Sequence, residues 1–155
     1  MKQSDSISTT LFAIYINDLA EQIKRSGIVI QLDENIIISI LMYADDIVLL
    51  SKDENDMQEL VCIVEEWCFN WRLEVILTKT NVMHVRGSRR RRSCFVFLFN
   101  IRQIDYCETY RYLGVTLNEF LDFNYTAKVQ AEAAGRALGS KIAKTLKNGG
   151  LPYKV

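Results

Sequence analysis

Two apolar segments joined by one short acidic connection constrain the fold more than any other feature of this sequence. Ile36–Tyr43 and Ile47–Leu50 are rich in β-branched and aliphatic residues and predict two strands, with Tyr43-Ala44-Asp45-Asp46 at the hairpin turn between them. The turn lacks the Asn-Gly or Asp-Gly pair that tight hairpins prefer, so local folding does not explain Asp45 and Asp46. Two adjacent carboxylates repel each other, which favours a nearby cation, and their oxygens suit Mg²⁺. The alternative is a solvated loop, the commoner setting of an isolated Asp-Asp pair.

Helical periodicity appears on both sides of this hairpin. Residues 6–25 place apolar side chains three and four positions apart, which predicts an amphipathic helix. A second helix is expected to begin near Ser51 or Asp53, either of which could cap it, and Ser51 and Glu54 have the spacing of a capping box. Its apolar stripe predicts packing on one face of the sheet. A last helix, basic and amphipathic, is expected over about residues 125–146.

Shorter β-like segments complete an α+β pattern. They are Ile28–Leu32, Val82–Val85, Cys94–Phe99 and Tyr110–Leu117. Phe95, Phe97 and Phe99 alternate along one of these segments, which is more typical of a core strand than of a base-stacking platform. Gly135 and Gly139 in the last helix indicate either close packing there or a weak helix.

Charge is unevenly distributed along a chain whose net charge is zero. Residues 1–85 hold fourteen acids and six bases, whereas residues 86–155 hold five acids and thirteen bases. The two halves either neutralise each other or bind metal cations at one end and a polyanion at the other. With 49% apolar and 25% charged residues, the composition excludes a disordered chain. No membrane span or secretory signal is recognised, so an intracellular protein, nuclear or cytoplasmic, is expected.

Five segments, in order, resemble the motifs of reverse transcriptases in the form found in non-LTR retrotransposons. They are Lys2–Phe12 with Ile16–Leu19, Ile40–Leu50 around the Tyr-Ala-Asp-Asp (YADD) motif, Trp67-Cys68 with Trp71, Leu77–Thr80, and Tyr110–Val115. The resemblance implies part of a polymerase palm, an antiparallel sheet with a catalytic hairpin and helices packed on one face, over residues 1–122. It further implies the helical start of a thumb over residues 123–155.

The activity implied by the resemblance is RNA-directed DNA synthesis, a nucleotidyl transfer from dNTP to a DNA primer on an RNA template. Asp45 would be the stronger ligand of Mg²⁺ or Mn²⁺ and Asp46 would assist, in a two-metal mechanism. Tyr43 and Ala44 would lie near the primer end. Lys79 would lie near the incoming triphosphate, and a solvated lysine at a strand end is the alternative.

One further part of the resemblance, and one basic run outside the resembling segments, concern contacts with nucleic acid. Leu113 and Gly114 would grip the primer through the backbone, since Gly permits close approach, and a plain β-turn is the alternative. Arg86 and the run Arg89, Arg90, Arg91 and Arg92 could contact phosphates, act as a nuclear-import signal, or form a solvated loop.

The sequence also departs from the family pattern. The family's first catalytic aspartate belongs to an upstream motif that nothing here matches, so we interpret the sequence as N-terminally truncated and expect the isolated chain to be inactive. An exposed sheet edge would then favour self-association. Ser4, Thr9, Arg72 and Ile76 stand where the family usually has Gly, Pro, Gly and Asn. The alternative function is a non-catalytic nucleic-acid-binding remnant that uses the basic C-terminal half.

Overall fold

The structure is a computed structural model that describes the backbone of residues 6–147 and the side chains of residues 14–140 and of Ala143. In chain order the elements are α1 (Ser6–Arg25), β1 (Ile30–Asp33), β2 (Ile36–Ile38), β3 (Ile40–Tyr43), β4 (Asp46–Leu49), α2 (Glu54–Trp71), a 3₁₀ turn (Leu77–Lys79), β5 (Asn81–Val82), β6 (Phe97–Phe99), β7 (Arg102–Tyr106), β8 (Thr109–Tyr112), β9 (Val115–Asn118) and α3 (Phe123–Lys147). The α+β class predicted for a partial palm followed by a helix is confirmed. Lys2–Asp5, at the start of the first resembling segment, lie outside the described residues.

The chain divides into two compact units that are described separately. Unit 1 consists of Met1–Thr80 and Phe95–Ile104, and unit 2 of Asn81–Cys94 and Asp105–Val155. This division does not follow the predicted palm and thumb ranges, and those ranges stay a prediction. The charge asymmetry of the sequence follows the units: unit 1 has seven bases and fourteen acids, a net −7, and unit 2 has twelve bases and five acids, a net +7.

Unit 1 is built on an apolar core between α1, α2 and the β3–β4 hairpin. Leu19, Ile23 and Leu60 are completely buried at its centre. The inward residues of the hairpin pack against this cluster: Ile40, Met42, Ile47 and Leu49. Burial of these side chains from water is the main stabilising contribution to this unit.

The segment Ile36–Tyr43 is two strands rather than the single strand predicted. β2 pairs antiparallel with β1, and β3 pairs antiparallel with β4, with a bend at the buried Ser39 between them. The carbonyl of Ser39 accepts a hydrogen bond from the Leu50 amide at 2.8 Å. The change of partner at Ser39 leaves no trace in a uniformly apolar sequence, because Ile on either side of it suits both ladders.

The N-terminus of helix α2 has the cap that its sequence favours, whereas its C-terminus has a residue that disfavours the conformation required there. Of the two predicted caps, Asp53 is correct, because its Oδ1 accepts from the Asp56 amide at 3.0 Å. Ser51 instead donates its hydroxyl to the Asp53 carbonyl, so the capping box is wrong. The C-cap is Arg72, whose φ of 55° is left-handed, a conformation that favours glycine. Gly, the residue that the resemblance implies at this position, would adopt this conformation without strain.

A carboxylate joins α1 to α2 beside the core. Asp18 accepts the indole N–H of Trp67 on Oδ1 and that of Trp71 on Oδ2, both at 2.9 Å. Tyr15 lies one turn earlier and makes edge-on ring contacts with both indoles, with ring centroids 5.9 Å from Trp67 and 4.7 Å from Trp71. Both carboxylate oxygens are therefore used, and each is shared with a different turn of α2. We call Asp18, Trp67 and Trp71 the indole clamp.

Unit 2 has a different kind of interior. None of its described apolar side chains is fully buried, and its most buried residues are Glu119 and Thr126. Thr126 donates its hydroxyl to the Thr116 carbonyl at 2.7 Å and so joins α3 to β9. Beyond Val129, α3 is exposed on every side up to Ser140, and an added Cβ at Gly135 or Gly139 would meet nothing within 4 Å. Of the two interpretations of these glycines, the weak helix is therefore the one supported.

The indole clamp gives a graded test of how α1 is held. We expect Asp18→Ala to lower the free energy of unfolding by about 1–3 kcal/mol, because it leaves the buried Trp67 N–H without an acceptor. Asp18→Asn, which keeps one acceptor oxygen, should fall between that variant and the parent. Urea unfolding followed by tryptophan fluorescence reports on it directly, since the chain has two tryptophans and both belong to the clamp.

The control for this series is Glu21→Ala, which removes an exposed α1 ion pair with Lys24. It should change stability by less than about 0.5 kcal/mol. An equal loss in Glu21→Ala and Asp18→Ala would mean that the clamp contributes nothing specific.

Arg72→Gly should raise the free energy of unfolding by about 1 kcal/mol, because it removes the penalty of a side chain in the left-handed region. Glu59→Gly, at an exposed position inside the same helix, should lower it by roughly 0.5–1 kcal/mol. The opposite signs distinguish the cap from a general effect of glycine, and destabilisation by both substitutions would contradict the prediction.

Candidate active site

The acidic tip predicted from the sequence is a tight hairpin turn. Tyr43 pairs with Asp46, so Ala44 and Asp45 alone form the loop. Of these two, only Ala44 has a positive φ, at 51°, which is the first position of a two-residue turn where glycine is favoured. The absence of Asn-Gly or Asp-Gly in the sequence is thus a real departure, and the turn is held closed by the paired strands on either side.

Alternation along the hairpin separates the core from the tip. Met42 and Ile47 form a cross-strand pair on the face that packs against the core. The next pair, Tyr43 and Asp46, therefore points to the opposite face, and Tyr43 is 62% exposed. Asp45 and Asp46 are both exposed, and neither carboxylate has a hydrogen bond or ion pair with another side chain in the described part of the protein. Two adjacent acids are thus presented to solvent on a hairpin whose other face is anchored.

The other predicted residues of unit 1 lie after α2. Lys79 is the last residue of the 3₁₀ turn and is exposed. Ile76 occupies the N-cap of that turn, has no side-chain capping bond, and is 55% exposed. Asn is among the best N-cap residues, so the Asn that the family usually has here would cap the turn that carries Lys79. Ile76 lacks the side-chain acceptor that the Asn implied by the resemblance would supply.

Leu113 and Gly114 form the turn of the β8–β9 hairpin in unit 2. Tyr112 pairs with Val115, and the two turn residues have φ values of 48° and 86°. Two positive φ values are the mark of a type I′ turn, in which Gly114 is the residue that suits its conformation. The β-turn interpretation is therefore correct as geometry, and a role in gripping a primer stays a prediction.

The five predicted arginines of unit 2 fall into two groups. Arg86 and Arg92 both bind the buried carboxylate of Glu119: Nη2 of each lies 2.8 Å from a carboxylate oxygen. Nε of each also lies 3.2 Å from Oε2. The remaining three, Arg89, Arg90 and Arg91, are exposed. Two of the five charges are thus paired within the unit.

Glu119 is the residue that the sequence did not single out. It directly follows β9, and its amide donates to the Glu108 carbonyl at 2.9 Å across the open end of the hairpin. Hydrogen bonds from Arg92 and Arg86 lower the pKa of the Glu119 carboxyl despite its burial, and pairing with Glu119 and Glu108 raises the pKa of Arg92. A lone glutamate after a strand gives no signal in sequence, because its partners are 27 and 33 residues away.

Two further searches concern metals and membranes. Among the described residues, no group of three or more His, Cys, Asp or Glu side chains is placed to hold a metal ion. Within the same part of the chain, no helix combines the length and apolarity that crossing a bilayer would need.

In chain order, the structure has an exposed acidic hairpin tip in an α+β unit, a turn that carries a lysine, and a hairpin with glycine in its turn. The resemblance to reverse transcriptases implies this order of features. Residues 1–117 match the family described as reverse transcriptase (RNA-dependent DNA polymerase). Because this match covers most of the sequence, the chain belongs to that family.

The chain is similar to the RNA-directed DNA polymerase from mobile element jockey of Drosophila melanogaster, with 27% identity over 128 residues. The aligned region covers 79% of this chain and 13% of the relative, so the chain spans about an eighth of the length of that curated protein. The predicted non-LTR retrotransposon type is confirmed by these matches. No solved structure matches this chain.

The ion pairs of Glu119 give unit 2 a predictable response to acid. Because its pKa is lowered in the folded state, the stabilisation is complete above the ordinary glutamate pKa of about 4.3 and is lost as pH falls through the lower folded value. We expect hydrogen-exchange protection of the Arg86 and Glu119 amides to fall over that range, after correction for intrinsic exchange.

Glu119→Gln should lower the protection of these amides at neutral pH and remove its acid dependence. Glu132→Gln, at an exposed position on α3, is the matched control and should leave the profile unchanged. An acid transition that persists in Glu119→Gln would assign it to another group.

Proposed function

We propose that the β3–β4 hairpin of this chain is the metal-binding part of an RNA-directed DNA polymerase centre, with Asp45 as the stronger ligand and Asp46 assisting. One observation carries the proposal: two adjacent carboxylates are exposed, and have no ion pair with any described side chain, at the tip of a hairpin rooted in the core of unit 1. Two adjacent carboxylates create a local negative potential that attracts a cation. Membership of the reverse transcriptase family supplies the reaction class.

The donor set fits a hard divalent cation. Mg²⁺ in nucleotide-transferring sites is usually held by one or two carboxylates, with water and substrate phosphates filling the other positions. Asp45 and Asp46 supply two such carboxylates, and their exposure leaves room for phosphate oxygens. When bound, Mg²⁺ or Mn²⁺ supplies the Lewis acidity that a 3′-hydroxyl nucleophile and a departing pyrophosphate require.

The other residues have positioning roles in this proposal. The exposed ring of Tyr43, with Ala44 beside it, supports the terminal nucleotide of a DNA primer, and Lys79 offsets charge on the phosphates of the dNTP. Leu113 and Gly114 approach the primer through a turn whose glycine has no side chain to obstruct it. Residues 1–122 would then serve as palm and residues 123–155 as the start of the thumb, with RNA as the template.

A second candidate function is nucleic-acid binding without catalysis through the basic C-terminal half. The observation that favours it is the net charge of +7 on unit 2, together with the three exposed arginines. Such a surface binds a polyanion through counterion release whether or not chemistry follows. Metal binding at Asp45 and Asp46 separates the two functions, because the second one requires no cation there.

Metal binding is tested by titrating the full chain with Mn²⁺ and following amide NMR signals. We expect selective broadening at Tyr43–Ile47, because paramagnetic relaxation acts over a short range around the bound ion. The double variant Asp45→Asn/Asp46→Asn should abolish it. Asp33→Asn, which removes an exposed carboxylate at the β1–β2 turn of the same unit, should leave it intact. Equal broadening in the double variant would refute the metal site.

Primer extension tests the activity of the isolated chain. The tip supplies two carboxylates, the family resemblance implies a further catalytic aspartate, and the described residues place no third acidic group beside the tip. We therefore expect no extension of a DNA primer on an RNA template in Mg²⁺ or Mn²⁺, with parent and Asp45→Asn indistinguishable. Extension by the parent that Asp45→Asn abolishes would show that the chain completes its own centre.

A further inference from the structure

The loop from Arg86 to Arg92, which we call the arginine loop, is closed at its base by several bonds. The Arg86 amide donates to the Glu119 carbonyl at 2.8 Å, and the Arg86 and Arg92 guanidinium groups share the Glu119 carboxylate. Just outside the loop, Nδ1 of His84 accepts the Ser93 amide at 2.9 Å. Both ends of the loop are therefore fixed to unit 2.

The tip of the loop is ordered by its own turn. The Arg90 amide donates to the Gly87 carbonyl at 2.9 Å, and Nη1 of Arg86 donates to the Arg90 carbonyl from inside the loop. The Arg86 guanidinium also lies over the Phe120 ring, 4.8 Å from its centroid. Arg86 thus stabilises the loop through its contacts with Arg90 and Phe120, and its charge is paired with Glu119.

What remains exposed is a compact group of three positive charges. Arg92 contacts Glu108 at 3.2 Å as well as Glu119, so the paired residues at the base, two arginines and two glutamates, have no net charge. Arg89, Arg90 and Arg91 have no acid against them among the described side chains, and all three are exposed. The loop separates structural arginines at its base from available arginines at its tip.

The bonds at the base locate the arginine loop within unit 2. Glu108 immediately precedes β8 and Glu119 immediately follows β9, so the loop is anchored at the open end of this hairpin, and Leu113 and Gly114 lie at its other end. Each strand has four residues, which at about 3.4 Å per residue separates the two ends by roughly 10–14 Å. Two phosphates of one nucleic-acid strand fit within such a length.

We propose that the arginine loop is a preorganised phosphate-binding element for the backbone of nucleic acid, in which Arg89, Arg90 and Arg91 contact phosphates and Arg86, Arg92 and Glu119 position them. Guanidinium groups bind phosphate oxygens through paired N–H donors, which a lysine cannot reproduce. A loop that is already ordered loses less conformational freedom on binding. The identity of the polyanion as nucleic acid rests on the proposed function, whereas the geometry of the loop does not.

The test is fluorescence anisotropy with the full chain and a labelled RNA–DNA hybrid of about 20 base pairs, at several salt concentrations. The variant Arg89→Gln/Arg90→Gln/Arg91→Gln should raise the Kd at least about tenfold at 100 mM salt and reduce the slope of log Kd against log salt by about 2–3. The matched control, Arg111→Gln/Lys128→Gln/Arg136→Gln, removes three other exposed charges from the same unit and should change the slope by less than about 1.

A lysine variant, Arg89→Lys/Arg90→Lys/Arg91→Lys, keeps the charge and checks that folding is not the cause. It should restore the salt slope of the parent while leaving weaker binding, because the paired donors are lost. Amide protection of β8 and β9 should be the same in all variants.

Several results would overturn the proposal. Equal losses in the two glutamine variants would show that only the net charge of unit 2 matters. No loss in the loop variant would remove its role, and displacement by polyglutamate as effective as by nucleic acid would assign the loop to an acidic protein. A loop-dependent salt slope without Mn²⁺ binding at Asp45 and Asp46 would sink the catalytic proposal and leave this one standing.

Discussion

The carboxylate of Asp18 is the interaction on which the arrangement of unit 1 depends. A carboxylate with both oxygens occupied by indole N–H groups fixes α1 against two successive turns of α2, in distance and in rotation. The β3–β4 hairpin packs on the core that these helices enclose, so its place follows from theirs. The acidic tip thus depends on the packing of both helices, and a disturbance of either helix would move it.

Unit 2 shows the opposite strategy, because its interior is polar. Where unit 1 buries Leu19, Ile23 and Leu60, unit 2 buries Glu119 and Thr126. A buried carboxylate is tolerated only when its charge is compensated, and here two guanidinium groups compensate it. In such a unit the polar contacts fix the geometry more than they add to stability. This suits a unit whose hairpin turn and arginine loop are both proposed to bind a ligand.

Sequence reasoning was accurate where structure is local. The bounds of α1, the existence of α2 and α3, and the hairpin around Asp45 and Asp46 followed from periodicity and composition. The bend at Ser39 was not predicted, because a uniformly apolar segment hides a change of strand partner. Strand β7 was not predicted either, because the mixed polarity of Arg102–Tyr106 gives no clear alternation. Neither the indole clamp nor the pairing of Arg86 and Arg92 with Glu119 was visible, since the contacts join residues 27 to 53 positions apart. For the same reason the arginine run looks uniform in sequence, although Arg92 is paired with Glu119 and the other three arginines are exposed.

The two-residue turn at Ala44 and Asp45 fixes the register in which β3 pairs with β4. Strand side chains alternate faces, so one amino acid added between Met42 and Ile47 would exchange the inward and outward sets on one strand. Apolar side chains would then be exposed to solvent, and an acidic side chain would face the apolar core. An insertion in either strand would therefore disturb the core and the acidic tip together, whereas a substitution at the tip would change its chemistry and leave the core packed.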